Sequence, residues 1–115
     1  MTTLYGIKNC DSVKKAKKWL EQNDLDYQFH DFRAQGITIE KINAWLTQVQ
    51  WDVLLNKRGT SYRQLDAEVK ENLNADNVAE LLLNNPTLIK RPVLEYADKV
   101  SVGFKADEYQ VKFNK

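Results

Sequence analysis

The chain has a single cysteine, Cys10, in the run Thr3-Leu4-Tyr5-Gly6-Ile7-Lys8-Asn9-Cys10-Asp11-Ser12-Val13, where a β-prone segment gives way to a helical pattern. A thiol at the first turn of a helix meets backbone N–H groups without intrahelical partners and the positive end of the helix dipole. Both favour thiolate over thiol, and the thiolate is the nucleophile. An inert core cysteine would fit better on the apolar stripe of an element than in a strand-to-helix turn. Cys10 is therefore the expected nucleophile. Spacing narrows its chemistry. Val13 holds the second place of a Cys-x-x-Cys, so no dithiol cycle can close within one chain. Ala16 stands where a phosphatase loop of the Cys-x5-Arg type needs its arginine. What remains is monothiol chemistry, with an outside thiol such as glutathione resolving the intermediate.

Other residues could serve that thiol. Lys8 either stabilises the thiolate and attracts an oxyanion or is a solvated loop lysine. In Arg91-Pro92, a proline opening a strand can hold a cis peptide, and Arg91 could then point towards a thiol on the neighbouring turn. Its forked donors suit oxyanions. Arg58 and Arg63 sit in a basic loop that is either a second anion contact or plain surface. Asp11 reads as a helix cap, and His30, on the polar side of an alternating strand, as structural or exposed. One histidine with one cysteine makes no metal site.

The elements that must position these residues follow from periodicity. A strand over residues 2–6 leads to a helix over 12–22, in which Val13, Ala16 and Leu20 form the apolar stripe with Trp19 at its margin. Lys14, Lys15 and Lys18 on the opposite face read as a solvated surface that adds diffuse positive potential. Residues 27–32 alternate aromatic with polar, a half-buried strand, so the first third is a right-handed βαβ unit. Thr38 can cap a helix carrying Ile39, Ile42, Leu46 and Val49. Residues 51–63 are less regular, with Gly59-Thr60-Ser61 as a loop, and short helices are expected near 67–73 and 77–84 after Asp66 and Asp76. A strand from Ile89 to Tyr96, a turn at Ala97-Asp98 and a strand over 99–102 make an antiparallel hairpin, and Tyr109 with Phe113 marks a closing helix. The expected fold class is α/β, the thioredoxin-like order βαβ plus ββα with a helical insertion at about 38–85, in one domain over 1–115.

Composition sets the outer bounds. The chain has 115 residues, 43% hydrophobic and 29% charged, an ordinary globular balance. The net charge of +1 gives no global field to recruit nucleic acid or membrane. One cysteine fits a reducing cytosol, no apolar run approaches a membrane span, and Met1-Thr2-Thr3 enters a strand directly. A cytoplasmic protein without bound cofactor is expected.

Four segments resemble the ArsC/Spx/YffB family of arsenate reductase-like proteins, most closely its YffB-type branch. They are Leu4 to Asp11, Leu55-Asn56-Lys57-Arg58-Gly59-Thr60-Ser61-Tyr62-Arg63, Leu88-Ile89-Lys90-Arg91-Pro92-Val93 and Val102-Gly103-Phe104-Lys105. The resemblance implies the thioredoxin-like fold, a nucleophilic Cys10, an anion-binding Arg91 and a cis Pro92. Glutathione becomes the expected co-substrate, with Lys8, Arg58, Arg63 and Arg91 as candidate contacts and glutaredoxin as a further candidate partner. The substrate would be a small oxyanion or a mixed disulfide. The chain departs from the arsenate reductases, which carry a histidine where it has Gly6 and three arginines where only Arg91 matches; Asn56 and Phe104-Lys105 stand near the other two places. Mixed glutathione disulfides are therefore expected to be handled better than arsenate. The alternative is a non-enzymatic regulator like the Spx branch, which binds RNA polymerase, although Val13 breaks the Cys-x-x-Cys common there.

Overall fold

Strand β1 (Thr3–Gly6) is paired on both sides, and the elements carrying Cys10 and Arg91 are arranged around it. The computed structural model describes residues 2–115, and the chain divides into two compact units. One contains the residues up to Gly36 together with Arg91–Lys115, and the other is Ile37–Lys90. After β1 the elements run α1 (Asp11–Gln22), β2 (Gln28–Asp31), α2 (Phe32–Gln35), α3 (Ile39–Leu46), α4 (Trp51–Leu54), α5 (Thr60–Arg63), α6 (Ala67–Glu71) and α7 (Val78–Asn84). A 3-10 turn (Pro86–Leu88), β3 (Val93–Tyr96), β4 (Lys99–Val102) and α8 (Ala106–Phe113) complete the chain. This is the thioredoxin-like α/β fold, βαβ plus ββα with helical segments between.

In the first unit the sheet order is β2-β1-β3-β4, with β1 parallel to β2 and antiparallel to β3. Side chains alternate along β1. Leu4 joins Val13, Ala16 and Leu20 of α1, Leu94 of β3 and Tyr109 of α8 in a core where none is more than 1% exposed. Tyr5 faces the other way: its hydroxyl donates to Glu95 Oε1 at 2.8 Å, and its ring lies 5.0 Å from that of His30. Trp19, at the margin of the α1 stripe, meets Tyr109 edge-on at 5.5 Å. Ala97 and Asp98 both take positive φ, the left-handed conformation that a two-residue hairpin turn requires between β3 and β4.

Several boundaries differ from the sequence expectation. Strand β3 begins at Val93 rather than Ile89, because Pro92 has no N–H to give a ladder; Ile89 instead bridges Leu55. Strand β2 stops at Asp31, whose carboxylate accepts from the N–H groups of Arg33 (2.8 Å) and Ala34 (3.4 Å) and so starts α2 with Phe32. The segment expected as a loop at 59–61 enters the single turn α5, and Asn77, not Asp76, occupies the N-cap of α7.

In the second unit α3 packs on α7, burying Ile42, Trp45, Val78 and Leu82 completely. Thr38 Oγ1 caps α3 by accepting from Lys41 N–H at 3.2 Å. The unit closes on itself where Asn56 N–H donates to Leu88 O and Lys90 N–H to Leu54 O, both at 2.7 Å. Its span, Ile37–Lys90, is wider than the insertion expected at about 38–85. Among the described residues no helix is long and apolar enough to cross a membrane.

Candidate functional site

Beyond β1 the chain makes one tight turn, Ile7 to Cys10, closed by a 3.3 Å hydrogen bond from Cys10 N–H to Ile7 O. Cys10 is the N-cap of α1: its backbone is extended (φ −98°, ψ 128°), and its carbonyl accepts from Lys14 N–H at 3.0 Å. This corrects the expectation that Asp11 caps the helix. Asp11 is the first helical residue, where its exposed carboxylate complements the dipole without a capping bond. The thiol makes no capping bond either, so the first-turn N–H groups stay free of side-chain caps beside it. Cys10 is half-buried and packs against the core cluster. Three residues on, Val13 is fully buried, so the place of a second thiol is filled by core.

The other half of the site comes from the segment that leads into β3. Tyr5 is in register with Val93, so Gly6, the last residue of β1, and Pro92, just before β3, lie at the same end of the sheet. The Cys10 turn leaves from that end. The Arg91–Pro92 peptide is cis, Pro92 is buried, and its carbonyl accepts from Gly103 N–H at 2.8 Å. Arg91 is half-buried, with Nε shielded from solvent. Lys8 is exposed in the turn itself. Thus Lys8, Cys10, Asp11, Arg91 and Pro92 belong to one end of one sheet.

Arg58 and Arg63 belong to the Ile37–Lys90 unit. There Arg63 Nη2 donates to Arg58 O at 3.0 Å, so the Arg63 guanidinium stitches its own loop. His30 is structural: Nε2 lies 2.7 Å from Gly36 O, and because a carbonyl only accepts, Nε2 carries the proton. Sequence reasoning overlooked the close packing of Gly6 on buried Val13, although a glycine closing a strand four residues before a helix N-cap was a visible signal. It also overlooked the Tyr109 hydroxyl, which is buried without a hydrogen-bond partner among the described residues. Burial pushes that phenol up.

Known proteins match this arrangement along almost the whole chain. The ArsC family model matches residues 5–111. The solved structure of the YFFB (PA3664) protein is 43% identical, with a TM-score of 0.92 over 96% of this chain and 97% of that one. An arsenate reductase (ArsC) related protein from Brucella melitensis is 45% identical, with a TM-score of 0.79 over 99% and 95%. The global transcriptional regulator Spx of Lactiplantibacillus plantarum is 29% identical over 110 residues, 94% of this chain and 83% of the regulator.

Proposed function

The chain belongs to the ArsC family, and from that membership we propose that it is a glutathione-dependent monothiol reductase with Cys10 as nucleophile. The observation that carries this reading is the Cys10 N-cap: a half-buried cysteine beside helix N–H groups without side-chain caps, with buried Val13 where a second thiol would be. The attacking sulfur sits at a helix N-terminus there, and the adduct has to be resolved from outside.

For a glutathione mixed disulfide the steps balance. Cys10 thiolate attacks the glutathione sulfur, the substrate leaves as a thiolate, and Cys10 is left bonded to glutathione. A second glutathione thiolate attacks that sulfur, releasing oxidised glutathione and regenerating Cys10. Glutaredoxin is the alternative reductant for the second step. Lys8 and Arg91 supply positive charge for the thiolate and for the carboxylates of glutathione. Arsenate is the poorer substrate, because a tetrahedral dianion needs several convergent charged donors and Arg91 is the one matched arginine. The glutathione-rich cytoplasm is the proposed location.

The test is glutathione-coupled turnover by the purified protein across a mixed disulfide, a simple disulfide and arsenate. Mixed-disulfide reduction that disappears in Cys10→Ser supports the reading; activity surviving in Cys10→Ser, or none in the native protein, overturns it. The likeness to Spx favours a second reading, a module that binds RNA polymerase. Such binding would persist unchanged in Cys10→Ser.

A further inference from the structure

We propose that the exposed lysine face of α1 selects acidic protein substrates, so that the mixed disulfides reduced are those flanked by aspartate and glutamate; this rests on the reductase reading above.

Lys14, Lys15 and Lys18 lie on the face opposite Val13, Ala16 and Leu20, and all three are exposed. With Asp11 they occupy positions i, i+3, i+4 and i+7, which form one stripe along a helix. Among the described residues, none of the three lysine side chains is held by an ion pair or hydrogen bond. Other lysines differ: Lys17 Nζ sits 3.5 Å from the centre of the Phe29 ring, and Lys105 pairs with Glu108 at 3.8 Å. Nor is the stripe a by-product of a basic chain. Residues 8–18 hold five lysines against one aspartate, a balance of +4, in a chain whose total is +1, so the remaining residues together carry −3.

The stripe is placed to act on a protein whose glutathione mixed disulfide is presented to Cys10. At ~1.5 Å of rise per residue, Lys14 and Lys15 lie about 6–8 Å along the axis from Cys10, and Lys18 about 12 Å. An extended peptide advances ~3.3 Å per residue, so side chains two to four residues from the reacting disulfide fall alongside these lysines. Exposed pairs contribute little affinity each, but a one-signed patch beside a reactive atom raises the encounter rate with an oppositely charged partner. The covalent step is the exchange already described: the protein half leaves as thiolate and Cys10 takes the glutathione, with no other oxidant or reductant.

The test uses two synthetic peptides of equal length, each with one glutathionylated cysteine, flanked by Asp and Glu in one and by Asn and Gln in the other. The glutathione mixed disulfide of 2-mercaptoethanol is the third substrate, which separates attraction for glutathione itself from attraction for the protein half. At low salt kcat/KM for the acidic peptide should exceed that for the neutral one by roughly tenfold, and about 0.5 M NaCl should bring the two together. The triple variant Lys14→Gln, Lys15→Gln, Lys18→Gln, which keeps helix propensity, should reduce that ratio to near one. Equal turnover of both peptides at low salt, or a ratio that survives in the variant, overturns the proposal. Turnover of the 2-mercaptoethanol disulfide with neither peptide accepted overturns it while leaving the reductase reading standing; no turnover of any of the three removes both.

Discussion

A Cβ added to Gly6 would lie 2.5 Å from Val13 Cγ2, so the end of β1 and the first turn of α1 meet with no side chain between them. Val13 is fully buried and β-branched, and cannot swing aside cheaply. Gly6→Ala is therefore expected to destabilise the protein by about 1–3 kcal/mol in denaturant unfolding. In Gly6→Ala/Val13→Ala the clash is gone, and the two changes should together cost less than their sum. Strict additivity would show that the strand and helix are not in contact.

Cys10→Ser should abolish turnover without unfolding the protein. The thiol makes no capping bond, whereas a serine hydroxyl at an N-cap can accept from the first-turn N–H groups. Thermal unfolding should be unchanged or shifted upward, by no more than about 1 kcal/mol of added stability. A large loss of stability would mean that the thiol is chiefly a core group.

Burial first, and then the 2.6 Å hydrogen bond that its hydroxyl donates to Glu21 Oε2, push the Tyr27 phenol up to about 12. A folded value above the unfolded one, near 10, means that this contribution to stability is fully present below pH ~10 and is lost as pH climbs through about 12. An absorbance titration of the phenolates should therefore contain a late component that Tyr27→Phe removes. A variant that loses an ordinary phenol near 10 and keeps the component near 12 would contradict the Glu21 contact.

Tyr109 is 1% exposed and its hydroxyl has no hydrogen-bond partner among the described residues. A buried polar group without a partner carries a desolvation penalty, so Tyr109→Phe should leave stability equal or raise it by about 1 kcal/mol. The ring contacts with Trp19 and Phe104 are kept. A loss of more than about 1 kcal/mol would show that the hydroxyl is bonded.

Features that depend on short-range spacing were legible in the order of residues alone. The stripe of Val13, Ala16 and Leu20 marked α1, Thr38 marked the start of α3, and Ala97-Asp98 marked the hairpin turn. The position of Cys10 between a strand and a helix, and the lack of a second thiol, were equally plain. These rest on neighbours within a few residues, which a linear pattern records. Other features needed the folded chain. Asp31 caps α2 at the point where β2 ends, in register with Gly6 of β1. Ile89 left the β3 ladder because a bridge to Leu55 was available to it, and Pro92 had no N–H to extend the pairing. Gly6 and Pro92 are 86 positions apart, yet sit at the same end of the sheet. That juxtaposition, like the approach of Gly6 to Val13, is decided by strand order, register and packing between elements. Those depend on contacts at long separation, for which local propensity carries no signal.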